Sequence, residues 1–197
     1  MKDAEILIKA GIAAVVPVYE AGAGNATRVI TSDGKEHLIG NTCRTVIRRI
    51  ARAYGVDLAA VRENYGRAVN RRNYVPVPLS PSLILIPVKF RERPLGENDG
   101  TVGYLSFYEI REIEEDGSFS RVLLACGRCL RVLLGKATLL EYMKDARLIA
   151  GIYEERHRAA IKAGQVREPE SAYLQDGGKL REELINLLIR ILSKSGG

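Results

Sequence analysis

Tryptophan is absent from this 197-residue chain, and aromatic side chains make up only 6% of it. A stacking platform for unpaired bases would therefore rest on the nine tyrosines alone. Cysteine is also scarce. Cys43, Cys126 and Cys129 are the full set, an odd number that argues against a disulfide-stapled secreted scaffold and suits a reducing cytoplasm. The only apolar stretch near the N-terminus, Gly11 to Val18, is too short to span a bilayer. No basic leader with a small-residue cleavage site precedes it, so the expectation is a cytoplasmic protein without membrane contact. Two histidines, far apart and without a neighbouring nucleophile, leave no local catalytic arrangement. P-loop, GxGxxG and HExxH patterns are missing. The expectation is a non-enzyme without a cofactor.

Acidic residues are scarce in one place above all. Between Asn41 and Arg93 there are three, Asp57, Glu63 and Glu92, against eleven basic residues, a local excess of eight. The remaining 19 basic and 21 acidic residues give −2, so the whole formal charge of +6 arises in that segment. Ten of the eleven are arginine: Arg44, Arg48, Arg49, Arg52, Arg62, Arg67, Arg71, Arg72, Arg91 and Arg93, with Lys89 the exception. The guanidinium fork grips two phosphate oxygens at once, and clustered arginine is the electrostatic footprint of a nucleic-acid binder. A solvated helix face laced with salt bridges is the bland alternative, weakened by the shortage of local acids.

Apolar content of 46% supports a real core, in one domain with an appendage or in two small ones. The pattern predicts an α+β fold: a small mixed or antiparallel sheet, a basic helix pair, then long C-terminal helices. Strands are expected over Ile12 to Tyr19, Thr27 to Thr31 and Glu36 to Ile39, with Asp33-Gly34 as a hairpin turn. Asn41 or Thr42 caps a helix whose apolar positions are Cys43, Val46, Ile47, Ile50 and Tyr54. Arg44, Arg48 and Arg52 then stack on its outer face with Arg49 beside them. Gly55 ends this helix. A second helix runs from Asp57 to Tyr65, closed by Gly66. The prolines of Tyr74 to Pro87 demand an extended piece, a turn at Ser80-Pro81 and a buried strand over Leu83 to Ile86. Residues 91–100 read as a mobile polar loop. One or two strands follow over Thr101 to Ile113, then a turn at Glu114 to Gly117. A hairpin comes next, with Cys126 and Cys129 near its tip. A long helix spans about 137 to 163, with Leu140, Met143, Ala146, Ile149 or Ala150, and Tyr153 on one side. The domain thus covers residues 1–163. Residues 164–178 form a linker, and an amphipathic helix in 179–197 is a candidate for self-association.

Ala51, Gly55 and Val61 have the spacing of a helix-turn-helix, which would offer Arg62 and Asn64 to a groove. Cys126-x-x-Cys129 could be half of a zinc knuckle or a redox pair, but lacks a second pair of ligands; incidental thiols are the plainer reading.

The stretch Ile50 to Pro87, IARAYGVDLAAVRENYGRAVNRRNYVPVPLSPSLILIP, resembles the ComK competence transcription factors. The shared landmarks are Tyr54-Gly55, the basic run Arg62 to Arg72, Pro76-Val77, Pro81 and Ile86-Pro87. Ala13 to Val18 and the strand–turn–strand–helix of Leu123 to Leu140 also look similar, so the likeness covers roughly residues 12 to 150. Two landmarks differ: the family's first-helix Cys is replaced by Ala51, and its Trp after the Pro-rich strand is missing. The resemblance implies a transcription activator that binds AT-rich double-stranded boxes through the minor groove, as an oligomer and without a catalytic centre. Arg44, Arg48, Arg49 and Arg52 would then hold phosphates. Arg67, Arg71 and Arg72 are the candidates for groove insertion, and Arg62, Lys89 and Arg91 complete the expected DNA-binding set. The alternatives are an RNA-binding module using the same patch and an enzyme or redox protein built on Cys126 and Cys129. The target sequence, the oligomer number and any adaptor are not legible.

Overall fold

Glycines turn the chain back on itself twice near the N-terminus. Gly22 and Gly24 adopt φ of +81° and +64° between β1 (Ile12–Glu20) and β2 (Gly24–Thr31), and Gly34, at φ +81°, sits between β2 and β3 (Glu36–Ile39). These left-handed values suit glycine because it has no Cβ. The Thr31 N–H closes the second turn on the Lys35 carbonyl at 2.9 Å. In this computed structural model the described residues are 2–22, 24–96 and 99–164. The chain divides into two units, Met1–Glu155 and Arg156–Gly197. The second is described only through residue 164, so the expected linker beyond it and the helix in 179–197 lie outside the described residues.

The first unit is α+β. After the short helix α1 (Lys2–Ala10) come β1 to β3, the helices α2 (Cys43–Ala53) and α3 (Leu58–Ala68), then β4 (Val77–Ser80), β5 (Leu83–Lys89) and β6 (Val102–Ser106). The six strands form one antiparallel sheet in the order β3-β2-β1-β6-β5-β4. Two three-stranded meanders therefore join along the β1–β6 seam, where Gly103 leaves no room for a side chain. A Cβ there would stand 2.4 Å from the Val15 carbonyl oxygen. A single 3-10 turn (Phe107–Glu109) leads to a second antiparallel sheet of β7 (Ile110–Asp116), β8 (Phe119–Leu124) and β9 (Cys129–Val132). The helix α4 (Lys136–Gly164) follows.

The larger sheet is covered on both faces, which explains the unbroken apolar run of β5. Leu83 and Leu85 point into a core shared with Val46, Ile47 and Ile50 of α2 and Val61 and Tyr65 of α3. Ile84, Ile86 and Val88 point into a second core with Val122, Leu124 and Val132 of the small sheet and Leu139, Tyr142 and Ala146 of α4. A bulge between Ile12 and Ala14 breaks the alternation of β1. Pro17 and Pro87 are tolerated inside strands because each lies past the end of a neighbour. β6 pairs β1 only at Ala14 and Val15, and β4 pairs β5 only at Leu83 to Leu85.

Several expected boundaries move. α3 does not stop at Gly66 but continues to Ala68. Gly66 sits within it because a Cβ would come 2.6 Å from the Arg71 carbonyl oxygen. Glu114, Glu115 and Asp116 form strand rather than turn, since cross-strand basic partners at Arg121 and Arg131 balance the acids. The turn falls on Gly117, at φ +64°. On α4, Leu140 is exposed and Leu139 takes the buried position, one residue from the expected stripe.

Candidate nucleic-acid interface

α2 is amphipathic by construction. Cys43, Val46, Ile47, Ile50 and Ala51 are buried, while Arg44, Arg48, Arg49 and Arg52 are exposed. Its start is fixed by Thr42, whose Oγ1 accepts the Thr45 N–H at 3.3 Å. Its end is fixed by Gly55, at φ +69°, and by the Val56 N–H donating to the Ala51 carbonyl at 2.8 Å. Asp57 then caps α3 by accepting the Ala59 N–H at 2.7 Å. The two helices meet as the spacing suggests, with Ala51 and Val61 buried on either side of the turn.

Most of the charge on this pair is unopposed. Among the described residues Arg44, Arg48, Arg52 and Arg62 make no ion pair. Arg49 Nη1 donates to Asn41 Oδ1 at 2.9 Å, a neutral partner that orients it without cancelling its charge. Arg67 differs: its Nη2 stands 2.6 Å from Glu63 one helical turn back. Arg72 is exposed just beyond α3.

Three expected members lie elsewhere. Arg71 is held against α4, where Nε pairs with the Asp145 carboxylate and the guanidinium stands 4.5 Å from the Tyr142 ring centre. Its stretch is anchored rather than loose, since the Arg71 N–H also donates to the Gly66 carbonyl at 2.8 Å. Arg91 is buried, with 9% exposure. Its Nη1 donates to Asn25 Oδ1 at 3.0 Å and to the Gly100 carbonyl at 3.3 Å, and its guanidinium lies 3.8 Å from the Tyr19 ring centre. Nη2 of Arg91 has no hydrogen-bond partner among the described residues. Lys89, half-buried, ends β5, where its carbonyl accepts the Leu133 N–H. The 91–100 segment is tied down at both ends. Asp99 accepts from the Tyr19 hydroxyl (2.9 Å), Asn25 Nδ2 (2.7 Å) and the Gly96 N–H (2.9 Å). These bonds, the Tyr19 hydroxyl foremost, hold its carboxyl below the usual range.

Arg44 and Arg62 open onto one cavity of about 650 Å³, bounded by α2, α3, residues 73–77 and the facing ends of β5 and β6. Tyr104 lies in its wall. Burial pushes its phenol up, and the nearby Arg62 charge pulls the other way. Tyr74, on the rim, has φ of +54°, a left-handed value that is strained for a bulky side chain. Its ring stacks on Tyr142, with centres 6.0 Å apart. The sequence carried no signal for this cavity, since it joins residues up to about 60 positions apart in the chain.

The thiols do not assemble. Cys43 is buried and pushed up to about 11 by that burial; Cys126 is half-buried and Cys129 exposed at the hairpin tip. Among the described residues no three His, Cys, Asp or Glu side chains converge as metal ligands, and no helix is long and apolar enough to cross a membrane. No family model, curated protein or solved structure matches the chain.

Proposed function

We propose that the chain is a transcription regulator that binds double-stranded DNA, preferring AT-rich sites, through the outer face of α2 and the adjoining Arg62 and Arg72. The observation that carries this reading is the unopposed charge of Arg44, Arg48 and Arg52, which sit in register along one exposed helix face. A regular helix face of exposed guanidiniums suits phosphate contacts, which supply most of the affinity for a duplex. Most of the charge sits on the first helix of the pair, which favours a backbone and minor-groove grip over a single recognition helix in the major groove. The likeness of Ile50–Pro87 to the ComK factors supports the same reading. Self-association would place two such faces on one site.

The test is fluorescence anisotropy with a labelled A-tract duplex, a GC-rich duplex and an RNA duplex. At about 50 and about 200 mM salt, each phosphate contact contributes about 0.9 to the log–log salt slope. Tight A-tract binding with a steep slope supports the proposal. A preference for RNA would transfer the arginine face to an RNA-binding module, and failure to bind any duplex at low salt would overturn both.

A further inference from the structure

Arg44 and Arg62 reach the same cavity from two helices, neither with an acidic partner among the described residues. Its volume of about 650 Å³ falls within the roughly 300–1,000 Å³ of small-molecule sites. We infer that this cleft binds a small phosphorylated ligand with the size and chemistry of a nucleoside monophosphate.

Three features support the assignment. The two guanidiniums supply the planar, multi-donor recognition that phosphate favours. Val61, Val102, Tyr74 and Tyr104 line the same cavity, bringing apolar and aromatic residues suited to a planar organic body. The strained backbone of Tyr74 is held in place by its ring contact with Tyr142, and such strain persists where the surroundings enforce it, often at ligand clamps. Behind the wall lies the buried Arg91, bonded to the Gly100 carbonyl, and its charge is set against the Asp99 carboxylate, which it helps to hold below the usual range. Asp99 at the margin does not neutralise the arginines. It makes no ion pair with either, and its oxygens are occupied by Tyr19, Asn25 and Gly96.

Arg44 and Arg62 also belong to the proposed duplex face, so the test contains no duplex. Isothermal titration of the full chain would use adenosine monophosphate, adenosine and inorganic phosphate. The nucleotide is expected to bind with a Kd of about 10–100 μM, and each of the other two about tenfold more weakly or worse. Arg44→Gln with Arg62→Gln should weaken the nucleotide about tenfold or more, while Arg121→Gln on the small sheet should not. Asn73→Trp, at an exposed rim position, should block the cleft with both arginines intact. Circular dichroism checks that each variant folds. The inference is overturned if the nucleotide gives no binding heat, if binding survives both the double substitution and Asn73→Trp, or if inorganic phosphate binds as tightly. A chain that binds duplex but no nucleotide loses this site and keeps the regulator reading. One that binds nucleotide but no duplex does the reverse.

Discussion

The helix pair and the β8–β9 hairpin carry arginine in opposite ways. On β8, β9 and the hairpin between them, each arginine has an acid: Arg121 with Glu114, Arg131 with Asp116 at 3.0 Å, and Arg128 with Glu36 at 3.4 Å. Arg128 also donates to the Gly34 carbonyl, pinning the tip against the β2–β3 turn. On α2 four arginines project with no acid beside them, and Arg62 of α3 continues the set. Residue type is thus a poor guide to role. An exposed, paired arginine contributes little beyond local order, about 0–1 kcal/mol. A row of unpaired ones repels itself and remains ready for an external polyanion.

The sharpest way to break this contrast is to remove charge from each region in turn. Arg44→Gln, Arg48→Gln and Arg52→Gln together should lower duplex affinity by about 100-fold at low salt and flatten the salt slope by about 0.9 per lost contact. Arg121→Gln with Arg131→Gln removes fewer charges from a region already neutralised and should leave anisotropy titrations unchanged. Equal losses in the two variants would mean that net charge alone, and not the helix face, drives binding.

Arg71 crosses the boundary between the two roles. It belongs to the basic segment by sequence, yet its carboxylate partner is Asp145 of α4 and its side chain is only 29% exposed. Breaking a pair this sheltered leaves a partly buried carboxylate without its partner. Arg71→Ala is therefore expected to cost about 1–3 kcal/mol in urea unfolding, below the 3–5 kcal/mol typical of full burial. Duplex affinity of the folded variant should stay within about twofold of the parent if Arg71 makes no phosphate contact. A stable variant with strongly weakened binding would return Arg71 to the interface.

Arg71 and Arg91 show what local pattern can and cannot supply. The helix caps at Thr42 and Asp57, the stop at Gly55 and the register of arginines on α2 follow from residues within a few positions of each other, and all were readable. So was the burial of Leu83 to Ile86 in β5, written in its unbroken Leu and Ile. Arg71 and Asp145 are 74 positions apart, and Arg91 and Asn25 are 66 apart. Nothing in the immediate sequence distinguishes a guanidinium that folds inward to such a partner from one that faces water. Gly66 misled for a related reason. It resembled a helix stop, but its lack of a side chain answers the close approach of the Arg71 carbonyl.

The finest distinction lies within α3 itself. Arg62 and Arg67 are both exposed and five residues apart, but only Arg67 has an acid one turn away, with Glu63 at 2.6 Å. Such an i,i+4 pair is worth only about 0.2–0.5 kcal/mol, so it discounts Arg67 as a phosphate ligand without disabling it. Arg62→Gln should then weaken duplex binding by about five- to tenfold, and Arg67→Gln by about twofold, the scale of a single charge-assisted contact against a partly cancelled one. Glu63→Gln sharpens the comparison from the other side. Freed of its partner, Arg67 should gain weight, and the Glu63→Gln variant should bind duplex slightly more tightly than the parent. If Glu63→Gln instead weakens binding, the carboxylate is positioning Arg67 for its contact, and pairing on this helix face organises the interface.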